Sequence, residues 1–262
     1  MKKIRIGQIA LSFHRASAAY ITYLMNKQKY EVEIKEASHE AAFKMLANNE
    51  IDMLVSAWLP GSHGKYLQPI LNQTVKLGVI YEPYCIWGLP DYSNDQILTV
   101  ADLKNNKIAH NVERKIYSIN PGAGISRFSV EIMQKYDLEA NGFKLYNLSE
   151  DDFFSYVETS IAERREFVIP FWHPQSLHYQ FAFRELEEPF SLLRSKDQAT
   201  IVVSRDFYQT IDPDTIRILH SVYLGNSRVS ALDYFLHKKQ LNIKDALQAS
   251  GIDALSVGLI SI

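Results

Sequence analysis

The chain has 262 residues, enough for one large domain or two modest ones with a substantial core. Its 28 basic and 30 acidic side chains leave a formal charge of -2, which gives no field for gathering nucleic acid or anionic lipid. The single cysteine, Cys85, excludes an internal disulfide and a cysteine-rich metal site and is neutral on redox compartment.

The N-terminus reads MKKIRIGQIALSF. Arg5, Gln8 and Ser12 interrupt its apolar residues, so it fits a first β-strand better than the uninterrupted core of a secretory signal. No stretch approaches the ~20 apolar residues that a spanning helix needs. A chain of this kind is expected either in the cytoplasm or, with an export segment removed, in the periplasm or on the outer face of the cell membrane.

The next elements alternate: a helix from about Arg15 to Lys27, the alternating strand YEVEIKEA, a helix from His39 to Asn48, and the buried strand IDMLVSAW. Strands separated by helices of this length predict βαβ units, a parallel sheet covered on both faces, and ligands beyond the carboxyl ends of the strands. The apolar run YCIW leads into the turn-rich GLPDYSND, where a lobe boundary is expected. A second series follows, with ILTVADLKNNKIAH, the loop INPGAG, a helix from about Ile125 to Tyr136, the strand FKLYNL, a helix from Glu150 to Arg164 and the strand EFVIPFW. HNVERKIY, between Ala109 and Ser118, reads as a polar insertion ahead of the INPGAG loop. After RSKDQ comes a strand, ATIVVSRDF, then helices over Asp212 to Tyr223 and Ser230 to Gln248 that are expected to return to the first lobe.

Three fragments carry chemistry. In AWLPGSH, Trp58 ends a buried strand and a Pro-Gly turn leads to His63; the pair reads either as a core tryptophan with a surface histidine or as part of a ligand site. VIPFWHPQ repeats the arrangement, with Trp172 at the end of an apolar strand. Two indole faces can enclose a cation that donates no hydrogen bonds, each contact contributing about 0.5–2 kcal/mol. SINPGAGISR puts a glycine-rich turn directly before a helix, so the amides around Gly124 and Ile125 and the positive end of the helix dipole form a place for an anion. Together the three suggest a zwitterion with a methylated ammonium and a carboxylate.

These segments, with TVADLKNNKIA and ATIVVSRDF, resemble the glycine betaine and proline betaine substrate-binding proteins of ABC importers over nearly the whole chain. The resemblance implies an α/β, two-lobed periplasmic binding protein of type II, each lobe a mainly parallel sheet flanked by helices, with the ligand in the cleft. Lobe I would take residues 1–91 and 199–262, and lobe II residues 92–198. It also implies that Trp58 and Trp172 form walls of an aromatic cage, and that His63 with the Gly124 and Ile125 amides holds the carboxylate. Some family members supply a third cage tryptophan from the loop after the first strand; here that place is Leu11, followed by Phe13, which can restore a wall, and His14. The implied ligand is glycine betaine, proline betaine, carnitine or a choline-like compound, and the implied partner is a membrane permease.

Other residues read more plainly. Trp87 is expected to pack near the hinge, and Cys85 to be a small core residue. His173 and His178 lack the i, i+4 spacing of helical metal ligands, and no metal or cofactor is expected. No phosphate-binding G-x-x-x-x-G-K-[ST] pattern occurs, so energy from ATP would enter through another subunit. Two further readings stand beside capture for transport: a cytoplasmic sensor on the same fold, and a hydrolase using His63, or His14 with Cys85. The hydrolase lacks a nucleophile in a strained turn beside a base.

Overall fold

A computed structural model describes residues 2–252. In chain order the elements are β1 (Lys2–Ile9), α1 (Ser12–Lys27), β2 (Tyr30–Ala37), α2 (His39–Ala47), β3 (Met53–Leu59), α3 (Gly64–Leu67), β4 (Thr74–Val79), β5 (Tyr84–Pro90), β6 (Lys115–Ser118) and α4 (Gly124–Lys135). The series continues with β7 (Lys144–Asn147), α5 (Glu150–Ala162), β8 (Ile169–His173), α6 (Leu177–Gln180), β9 (Phe183–Glu185), β10 (Gln198–Ser204), α7 (Arg205–Thr210), α8 (Pro213–Ser221), α9 (Asn226–Asp233) and α10 (Ile243–Ala249). No helix among the described residues is long and apolar enough to cross a membrane.

Contacts divide the chain into two compact units: Met1–Pro83 with Pro174–Tyr179 and Asp197–Ile262, and Tyr84–His173 with Gln180–Lys196. The first is built on a five-stranded sheet in the order β2-β1-β3-β10-β4. β1 runs parallel to β2 and β3, the product of two βαβ units, whereas β10 returns antiparallel to both β3 and β4. Every residue of β3 is buried, as a strand covered on both faces requires. α1 covers the sheet through Phe13, Ala16, Tyr20, Ile21 and Leu24, a helical stripe of buried positions. β4, which has no distinct pattern in sequence, lies so close to α8 that a Cβ on Gly78 would enter the carbonyl of Leu219.

The second unit holds an antiparallel sheet in the order β8-β5-β9 and a parallel pair, β6 and β7. Its larger sheet therefore differs from the mainly parallel one expected, because β5 pairs with strands that run back toward it from distant sequence. α5 starts at Ser149, whose side chain accepts from the Asp152 amide, and Glu150, Asp151 and Asp152 complement the helix dipole.

Three local expectations are corrected. HNVERKIY is not polar throughout: its KIY end joins Ser118 in β6, where Ile116 is buried, and Glu113 ahead of it is tied to Arg165 and Tyr156 at 2.9 Å each. ILTV forms only a single bridge, Thr99 to Glu187, before a capping box of Thr99 and Asp102 opens a 3-10 turn. The segment Ser230–Gln248 is not one helix. A π turn at Tyr234–Lys238 and a positive φ of 52° at Gln240 break it, and the Asn242 side chain caps a new start by accepting from the Lys244 and Asp245 amides.

Candidate functional site

In the first unit the site is organised by the turn after β3. The carboxylate of Asp197 accepts the amides of Gly61 at 2.6 Å and Ser62 at 2.9 Å, and the Leu59–Pro60 peptide is cis. This turn brings His63 back to Trp58. The His63 amide donates to the Trp58 carbonyl at 2.8 Å, and the Trp58 amide donates to His63 Nδ1 at 2.9 Å. An N–H can only donate, so Nδ1 carries no proton and His63 is neutral, with its hydrogen on Nε2. The two rings stack at 6.2 Å between centroids and 25° between planes. His63 is a buried residue, not a surface one.

The start of α1 joins the same cluster. The Phe13 ring lies 5.1 Å from Trp58, and His14 lies 5.7 Å from Trp58 and 5.9 Å from His63. His39 and Phe43 of α2 approach His63 at 5.3 and 5.8 Å. Leu11, buried just ahead of α1, is aliphatic and brings no ring. Burial drives the His14 pKa well below 6.5, reinforced by the nearby His39, so this imidazole is neutral at physiological pH.

Two residues here escaped sequence reasoning. Ser56, buried in the middle of β3, has a positive φ of 67° and sits 3.0 Å from His14 Nδ1. Its hydroxyl also meets the Tyr81 hydroxyl at 2.5 Å, and Tyr81 in turn accepts the indole N–H of Trp58 at 2.9 Å. Burial raises the Tyr81 pKa, which keeps its hydroxyl protonated. A lone serine in the apolar run MLVSAWL was a readable signal; nothing around Tyr81 linked it to Trp58.

In the second unit Trp172 is buried on β8, with Phe153 of α5 stacked on it at 5.7 Å and 26°. α4 packs against this strand. The helix begins at buried Gly124 and Ile125, its N-cap Ala123 has no side-chain acceptor, and no acidic residue lies in its first turn. The preceding loop is shaped by Ser126 Oγ donating to the Ile119 carbonyl at 2.8 Å and by Arg127 Nη1 donating to the Gly122 carbonyl at 2.5 Å. Trp87 is fully buried on β5 and donates its indole N–H to Ser129 Oγ at 2.8 Å. Cys85 is buried and pairs in register with Trp172. His173 stacks on Tyr84 at 4.8 Å, and burial lowers its pKa to about 4.

The first unit thus gathers Trp58, His63, Phe13 and His14, and the second places Trp172 on the strand against which α4, the helix that begins at Gly124 and Ile125, packs. Among the described residues no group of three or more His, Cys, Asp or Glu side chains is placed to hold a metal. Indole faces attract a cation, and amides at the head of a helix with no side-chain cap attract an anion.

Residues 2–249 match the model of a family described as the substrate-binding domain of an ABC-type glycine betaine transport system. Among solved structures, the chain is similar to lactococcal OpuAC in its closed form with glycine betaine, at 20% identity over 95% of each chain and a TM-score of 0.81. It is similar to the glycine betaine/L-proline-binding protein ProX of Borrelia burgdorferi at 20% identity, covering 94% of this chain and 92% of that one, with a TM-score of 0.80. An ABC-transporter choline-binding protein in complex with choline has a TM-score of 0.76 at 17% identity, over 95% of this chain and 87% of that one. No curated protein matches in sequence. At these identities the structural likeness speaks for the fold.

Proposed function

We propose that this chain, which belongs to the family of substrate-binding domains of ABC-type glycine betaine transport systems, captures a quaternary-ammonium compatible solute for a membrane permease. The observation that carries the reading is the setting of Trp58, an indole fixed by its N–H and surrounded by Phe13 and two neutral imidazoles. A trimethylammonium group offers no hydrogen-bond donor, so it is held by ring faces, and neutral neighbours add no repulsion.

In this reading Trp58 and Trp172 are the indoles that hold the ammonium group, and Phe13, 5.1 Å from Trp58, restores the wall that Leu11 lacks. The carboxylate of a betaine is taken by the Gly124 and Ile125 amides and by the His63 side chain. The two compact units are the lobes, and closure over the ligand produces the form that the permease recognises. The protein acts on the outer side of the membrane and returns its ligand chemically unchanged.

The test is calorimetric titration of glycine betaine, proline betaine, carnitine and choline into the purified protein. Micromolar-range binding of at least one is expected. Absence of binding by all four would refute the reading.

A further inference from the structure

We propose that Tyr81 is the positioning residue that fixes the orientation of the Trp58 indole, and that the bulged Ser56 holds Tyr81 for this purpose. The assignment deepens the reading of Trp58 as a ligand-binding ring and rests on it. Phe13, His14 and His63 pack around Trp58, but ring packing alone permits an indole to turn within its own plane. The N–H at 2.9 Å from the Tyr81 hydroxyl removes that freedom, and the Tyr81 ring stands edge-on to the indole at 87° with centroids 6.4 Å apart.

Tyr81 is itself locked. Its carbonyl accepts the Ala199 amide at 3.0 Å, the Ile80 amide donates to the Ala199 carbonyl at 2.8 Å, and Ala199 pairs in register with Trp58. One residue of β10 therefore references both aromatic side chains to the same strand. At its other side the Tyr81 hydroxyl meets Ser56, which bonds His14. Ser56 lies where the register between β3 and β10 shifts, Ala57 facing Thr200 and Leu54 facing Val202. A bulge re-aims a side chain, and a buried non-glycine residue at φ 67° is retained only where its surroundings over-determine it. Here the deviation places a hydroxyl between His14 and Tyr81.

The test is a double-mutant cycle read with choline and glycine betaine by calorimetry. Tyr81→Phe keeps the ring and removes the acceptor; it is expected to weaken both ligands about threefold to tenfold, equally, because the ammonium end is common to them. In a Trp58→Phe background, which has no indole N–H, Tyr81→Phe is expected to cause no further loss. A merely structural tyrosine would give the same loss in both backgrounds, and that result, or wild-type affinity in Tyr81→Phe, overturns the assignment. Where Trp58→Phe binds too weakly for titration, the indole N–H resonance missing from that variant is followed instead. It should move upfield in Tyr81→Phe, and an unmoved resonance overturns the assignment. Wild-type protein that binds neither ligand refutes the functional reading itself, a result distinct from wild-type binding that Tyr81→Phe leaves intact.

Discussion

Trp58 and His63 are joined by two reciprocal hydrogen bonds, the Trp58 amide to His63 Nδ1 at 2.9 Å and the His63 amide to the Trp58 carbonyl at 2.8 Å. The five-residue separation in AWLPGSH is the length of turn that closes this ring. One imidazole thereby fixes the backbone of Trp58.

His63→Ala leaves the buried Trp58 amide without its acceptor and is expected to lower stability by about 1–3 kcal/mol in urea unfolding. The same variant should weaken glycine betaine more than choline in calorimetry, because only the betaine carries a carboxylate for His63 to hold. Equal losses for the two ligands would contradict the role given to His63.

Stability should fall in mild acid. Burial holds His14 well below 6.5 and His173 at about 4, the latter helped by Lys196, while an unfolded histidine titrates near its ordinary value. The unfolded chain therefore binds more protons than the native one as the pH drops below 6.5, so stability complete above that pH is lost progressively toward about 4. Melting temperatures measured from pH 7.5 to 5, before most carboxylates titrate, should decline. His173→Phe, which keeps a ring against Tyr84, should make the decline shallower; an unchanged slope would exclude His173 as a source of it.

Much of this was legible in the residues themselves. The alternation of KIRIGQIAL and YEVEIKEA and the largely apolar strand leading to Trp58 specified the βαβ half of the first sheet, because side-chain period and burial are local properties. The direction of β10 was not legible, since an apolar strand has the same composition whichever way its neighbours run. Nor was the place of Tyr84–Pro90, whose partners on β8 and β9 lie between 81 and 97 residues further on. At the site, Trp58, His63 and Phe13 stood out by motif and come together in one cluster. Tyr81 and His39 did not stand out, because their roles come from contacts between elements distant in sequence.

Asp197 offers a separate handle on the turn that delivers His63. Its carboxylate accepts two backbone amides at 2.6 and 2.9 Å, so Asp197→Ala strands two donors and should cost about 3 kcal/mol in denaturant unfolding. Asp197→Asn retains one acceptor oxygen and should cost less. Both variants should lose affinity for glycine betaine in the same order, because His63 follows directly on the held amides. Stability loss without any change in affinity would separate the turn from the site.

Indole faces that hold a positive charge should distinguish two ligands that differ in that charge alone. Glycine betaine and 3,3-dimethylbutanoate have the same shape and the same carboxylate, and differ in carrying a quaternary nitrogen or a neutral carbon. With two indoles contributing about 0.5–2 kcal/mol each, calorimetry should find glycine betaine tighter by at least about fivefold, rising toward several hundredfold if the ring contacts are fully dry. Equal affinities for the two would contradict the account, since the site would then be recognising shape and carboxylate alone.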